Sequence, residues 1–120
     1  MNAGVARYFK LTVAYDGTGF SGWQVQPNQR TIQGHLQDAL KRLTGEQTQV
    51  VGSGRTDAGV HASGQVAHFV LQEARIAEAN LLRGLNHLLP DTVQIHQLAQ
   101  VPDSFRAQYA RQKQYSYYFQ

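Results

Sequence analysis

The sequence predicts an α+β fold in which one antiparallel sheet carries two helices on one face. Three observations carry this. Two segments, 31–43 and 76–89, space their aliphatic residues as amphipathic helices do. Short runs rich in β-branched and aromatic residues surround them, one before the first helix, two between the helices and one directly after the second. The 120 residues contain no internal repeat and no linker-like stretch, which suits a single domain, 1–120.

The first strand is 8–15 (YFKLTVAY), ended by Asp16-Gly17-Thr18-Gly19, a turn-forming run. Residues 20–26 (FSGWQVQ) form a loop closed by Pro27. In the first helix Ile32, Leu36, Ala39, Leu40 and Leu43 share a face, Thr31 is placed to cap the start and Gly45 to stop the end, while Gly34 weakens the first turn. A second strand, 48–51, leads into a glycine-rich loop. The third, 65–71, puts Val66, His68 and Val70 on one face and Ala67, Phe69 and Leu71 on the other. Leu81, Leu82, Leu85, Leu88 and Leu89 make the stripe of the second helix, which Pro90 follows. Residues 92–98 form a fourth strand and 105–119 a long fifth. The order β-α-β-β-α-β plus an added strand is that of the ferredoxin-like, split βαβ arrangement.

Composition narrows the function classes. Hydrophobic residues are 42% and charged residues 16%, enough apolar material for a core. With no cysteine there is no disulfide framework and no thiolate metal site. No stretch has the length of a signal peptide core or a membrane span, so a cytoplasmic location without a membrane partner is expected. The net charge of +3 is unevenly spread: no acid follows Asp103, whereas Arg106, Arg111 and Lys113 do, interleaved with Phe105, Tyr109, Tyr115, Tyr117, Tyr118 and Phe119. Cations that bind phosphates and rings that stack on bases would give this pattern. So would an amphipathic strand with solvated charges.

The loop GSGRTDAGVHA, 52–62, places Asp57 between Arg55 and His61. It is not a dinucleotide fingerprint, because Asp57 stands where the third glycine belongs, and it is not a P-loop, because Gly59-Val60 stands where Gly-Lys and then a hydroxyl residue are needed. The histidines at 35, 61, 68, 87 and 96 show no i, i+4 pair, so no metal is expected. What remains is a carboxylate in a tight turn beside a cation. Arg55 would keep it ionised, ready to act as nucleophile or general base. A plain β-turn with a capping Asp and a solvated Arg has the same residues.

These residues, with others in the same order, resemble the tRNA pseudouridine synthase A family. YDGTGFSGWQ at 15–24, Thr31-Ile32-Gln33 opening a helix, the loop itself, GQVAHF at 64–69, Gly84-Leu85-Asn86 with Leu89-Pro90, and Phe105-Arg106-Ala107 with KQYSY at 113–117 all match its landmarks. The resemblance implies isomerisation of uridine to pseudouridine in the tRNA anticodon stem-loop, without cofactor or metal. It makes Asp57 the essential catalyst. Arg55 would hold a phosphate or fill the space the flipped base vacates, and Tyr115 would stack on the target base. Arg106, Arg111 and Lys113 become RNA-backbone contacts, while His61, Asp16 and Trp23 shape loops and core. Whether Asp57 attacks base or sugar, or takes a proton, stays open. By spacing alone Tyr115 could equally be a cross-strand core aromatic.

Family members run to roughly twice this length, generally work as homodimers, and draw a basic partner for the catalytic Asp from a second half. The chain is therefore expected to be the N-terminal catalytic half, with the C-terminal half absent and an apolar edge left exposed at its last strand. The alternative is a non-catalytic RNA-binding ferredoxin-like fragment, or a packing half in an oligomer. An RNA-recognition motif proper does not fit, since the third strand offers only Phe69 as an aromatic.

Overall fold

The computed structural model describes residues 6–53 and 62–103. In chain order the elements are β1 (Arg7–Tyr15), α1 (Ile32–Thr44), β2 (Val51–Gly52), β3 (Ala62–Leu71), α2 (Glu78–Leu88) and β4 (Val93–Val101). The sheet order is β2-β3-β1-β4, with every neighbouring pair antiparallel. This is the predicted split βαβ arrangement. The expected fifth strand, 105–119, lies outside the described residues.

Strict alternation builds the core face. Phe9, Leu11, Val13 and Tyr15 of β1 and Ala67, Phe69 and Leu71 of β3 are all buried. The pair Phe9↔Phe69 stacks at 5.2 Å between ring centroids. Ile32, Leu36, Ala39 and Leu40 of α1 and Leu81 and Leu85 of α2 close over that face in one cluster. Thr31 caps α1, its side chain accepting from Gly34 N at 3.1 Å. Gly45 ends the helix in the left-handed region, φ 81°, its N–H bonded to Lys41 O. The two helices meet at Gly84, where a Cβ would lie 2.8 Å from Leu43 Cδ2. Glycine in mid-helix thus lets α2 approach α1.

Several boundaries differ from expectation for identifiable reasons. The second strand, expected over 48–51, is the two residues Val51–Gly52. Continuing the Val51↔His68 register would pair Gln49 with Val70, but the Thr48 hydroxyl donates to Val70 O at 2.8 Å and the ladder stops there. β3 begins at Ala62 because Tyr15 of β1 pairs with it. β4 runs on to Val101 and carries a bulge: Thr12 pairs with Gln97 and Val13 with Ile95, which leaves His96 as the extra residue. α2 starts two residues late, at Glu78, and Leu82 and Leu88 flank the core, half-buried, where the leucine stripe placed them inside.

Helix side chains secure both sheet edges. The amide of Gln33 donates from Nε2 to Val50 O (2.8 Å), and Gln37 Oε1 accepts from Val50 N (2.9 Å). On the opposite edge Asn86 donates to Ile95 O (2.9 Å) and accepts from Ile95 N (2.8 Å). At the far end of the sheet Glu46 accepts from three successive backbone N–H groups, Gln72, Glu73 and Ala74, at 2.6, 2.8 and 2.6 Å. Burial works to raise the Glu46 pKa, but those three bonds together outweigh it and leave the carboxyl below its ordinary value. No described helix is long and apolar enough to cross a membrane.

Candidate active site

The strands bring both ends of the glycine-rich loop to one end of the sheet. Gly52 pairs with Ala67, Ser53 N donates to Val66 O (2.8 Å), and Ala62 pairs with Tyr15. Ser53 and Ala62, which flank residues 54–61, therefore both lie toward the end of the sheet where β1 finishes. Arg55, Asp57 and His61 fall in that stretch, and Arg106, Arg111, Lys113 and Tyr115 fall after 103, so these site expectations lie outside the described residues. What the structure describes is the frame that presents the loop.

That frame is tightly packed at the loop's root. A Cβ on Gly52 would sit 2.8 Å from Cε2 and Cζ2 of Trp23 and 2.7 Å from Gln65 Nε2. Only glycine fits between the strand and the indole. Trp23 is 2% exposed, so the expectation that it shapes the core holds. Tyr15 lies 6.3 Å from Trp23, ring to ring, and its hydroxyl donates to Gln65 Oε1 at 2.9 Å. Tyr15, Trp23, Gln65 and Gly52 thus pack together at the loop's root.

Residues 16–31 wrap the same end. Asp16 Oδ1 accepts from Thr18 N (3.0 Å), which closes the Asp-Gly turn as expected, and Asp16 N donates to Thr92 O, tying it to the start of β4. Gln33 is 3% exposed and uses both ends of its amide: Oε1 accepts from Val25 N (2.8 Å) while Nε2 holds Val50 O. One side chain thereby joins α1, the 16–31 segment and the approach to β2. Its place in a family landmark was visible in the sequence, but this role was not. Gln65 was missed as well. Its signal was register: it stands in step with Ala67, Phe69 and Leu71 on the core face, where a polar residue needs a partner.

Beside this frame Arg30 lies 4.5 Å from the centre of the Phe20 ring, and its Nε donates to His35 Nε2 at 3.3 Å. The His35 ring meets Phe20 edge-on at 5.4 Å. Burial first, and then the Arg30 charge, hold the His35 pKa below its ordinary value, against a weaker pull upward from Asp38. Among the described residues no three His, Asp or Glu side chains gather as a metal site would require.

A family model described as tRNA pseudouridine synthase matches residues 11–110, which takes in the frame and the loop it presents. The chain is 48% identical over 112 residues to tRNA pseudouridine synthase A of Caldicellulosiruptor saccharolyticus, covering 92% of this chain and 46% of that protein. It is 51% identical over 109 residues to the Maridesulfovibrio salexigens protein of that name, 90% and 40% covered. With tRNA pseudouridine synthase A 1 of Protochlamydia amoebophila it shares 52% identity over 112 residues, 92% and 43% covered. The chain thus spans less than half the length of the curated relatives it matches. The match runs through every described strand and helix, and on that ground the chain belongs to the tRNA pseudouridine synthase family.

Proposed function

We propose that this chain carries the catalytic carboxylate of an enzyme that isomerises uridine to pseudouridine in the tRNA anticodon stem-loop. Asp57 is the catalyst and no cofactor or metal takes part. The target uridine leaves its stack, its C1′–N1 bond breaks, the uracil turns, and C5 bonds to C1′. The proton on C5 is released and N1 gains one. Arg55 holds the flanking backbone or the space behind the flipped base, Tyr115 stacks on the uracil, and Arg106, Arg111 and Lys113 contact phosphates. The working enzyme is a cytoplasmic homodimer with tRNA across both subunits. The observation that carries this reading is the extent of the family match, 11–110, which includes Arg55, Asp57 and the strands holding both ends of their loop.

The test is tritium release from C5-labelled uridine in a tRNA transcript, for the chain as it stands and for Asp57→Ala. Release that the substitution abolishes supports the reading. Equal release from both removes Asp57 from the mechanism. One observation favours a second reading, an RNA-binding fragment that does not turn over: the chain covers only 40–46% of these relatives. Tight tRNA binding without release would favour it, and the same assay on a chain extended to the relatives' length would then decide whether Asp57 acts.

A further inference from the structure

We propose that the cleft at the first turn of α1 is a subsite for a backbone phosphate of RNA, gripped by Arg30 with Gln29 and His35. This rests on the tRNA reading above and adds a contact surface that the catalytic loop does not supply. The cleft measures about 280 Å³, is open to solvent, and is lined by Gln29, Arg30, Thr31, Gly34, His35 and Asp38.

Its chemistry is that of unspent donors. Arg30 uses Nε on His35 and its flat face on Phe20, and among the described residues its two Nη groups meet no acceptor. Gln29 accepts the Ser21 hydroxyl at Oε1 (2.7 Å), which fixes the amide and leaves Nε2 to donate. His35 accepts at Nε2, so its neutral ring carries the proton on Nδ1. Three side chains that line the cleft therefore keep unspent donors.

The helix backbone is not the attraction. Ile32 N donates to Gly22 O, Gln33 N to Trp23 O, Gly34 N to Thr31 Oγ1 and His35 N to Thr31 O, so the first-turn amides are already bonded. A guanidinium pressed against an imidazole opposes a second positive charge, and an anion between them relieves that opposition. Asp38, exposed at the rim, is the one acid lining the cleft and keeps the grip moderate.

Position selects RNA as the source of the phosphate. β1 ends, and α1 begins, at the end of the sheet that holds Gly52 and Ala62, so the cleft lies at the same end as the residues that bound the loop. Val25, 45% exposed, lies against Gly34 and offers an apolar surface for a ribose. An open cleft of this size suits a phosphate on a passing strand better than an enclosed metabolite.

The experiment is a fluorescence titration of the full chain with a tRNA transcript across a salt series. Arg42→Gln serves as the charge-matched control, since Arg42 is exposed in the last turn of α1, at the other end of the helix. Arg30→Gln is expected to weaken binding about fivefold and to lower the slope of log Kd against log salt by about 0.7 to 0.9, one phosphate contact. Arg42→Gln should leave the slope within roughly 0.2 of the parent. In the parent, binding tightens as pH falls through the range of histidine titration, because a phosphate raises the proton affinity of His35 against the opposing charge of Arg30 and alongside Asp38. The proton taken at Nε2 exchanges the bond from Arg30 Nε for a charged donor, with Arg30 Nε also released to the phosphate. His35→Gln flattens that dependence. Equal effects of Arg30→Gln and Arg42→Gln would overturn the cleft while leaving the tRNA reading intact. No tRNA binding by the parent chain would overturn both.

Discussion

The two edges of the sheet are held by the same device but to different ends. On one side Gln33 and Gln37 of α1 take the C=O and N–H of Val50; on the other Asn86 of α2 takes both groups of Ile95. Each helix uses carboxamides to satisfy an edge backbone that would otherwise face water or a neighbouring chain. Beyond that the edges diverge. β4 runs nine residues and its grip serves the strand alone. β2 runs two, and Gln33 also reaches Val25, while Trp23 underlies Gly52. The short edge is cross-linked to the segment around it, whereas the long edge is secured by its length. Side-chain anchoring stands where the glycine-rich loop departs.

The sharpest way to break this contrast is to remove the carboxamides one at a time. Gln33→Ala orphans Val50 O in a buried setting and Val25 N in a part-buried one and is expected to cost about 3 kcal/mol, against about 1 to 2 for Asn86→Ala, whose two bonds to Ile95 are both part-buried. Urea denaturation measures both; equal losses would mean the two edges are held alike. A second contrast uses glycines. Gly52→Ala drives a methyl into a buried indole and should cost about 2 kcal/mol. Gly84→Ala meets only the flexible end of half-buried Leu43 and gains helix propensity, so its net effect should stay below about 1 kcal/mol.

The smallest expected effect concerns acid. Glu46 has a lowered folded pKa, so its contribution is fully present above the unfolded pKa and is lost as pH falls through the folded one. Glu46→Gln should therefore trail the parent in thermal stability at neutral pH and draw level with it in the acid range where carboxylates protonate. A gap that stays constant with pH would mean that the charge of Glu46 contributes nothing.

Features set by near neighbours in sequence were legible. Thr31 and Gly45 cap α1 as their residue types require, and alternation separated the two faces of β3, of which the Ala67, Phe69 and Leu71 face is the buried one. Features set by distant partners were not. The start of β2 depends on a Thr48 hydroxyl meeting Val70, and the bulge at His96 depends on the register with β1. The loop at 52–62 stood out as glycine-rich, but what it rests on did not: Gly52 and Trp23 are far apart in the chain and meet only in the fold. Gln33 and Gln65 read as ordinary polar residues because their partners come from other elements. Asp57, Arg55, Tyr115, Arg106, Arg111 and Lys113 were singled out through motif and charge pattern, and lie outside the described residues.

Trp23 is the one tryptophan in the chain, and it lies beneath the glycine at the loop's root. Its intrinsic emission is therefore an unlabelled optical gauge of that root. At 2% exposure the indole should fluoresce blue-shifted in the resting chain. A shift on adding RNA would report a changed environment at the loop's root, from a single emitter and with no second indole to blur it.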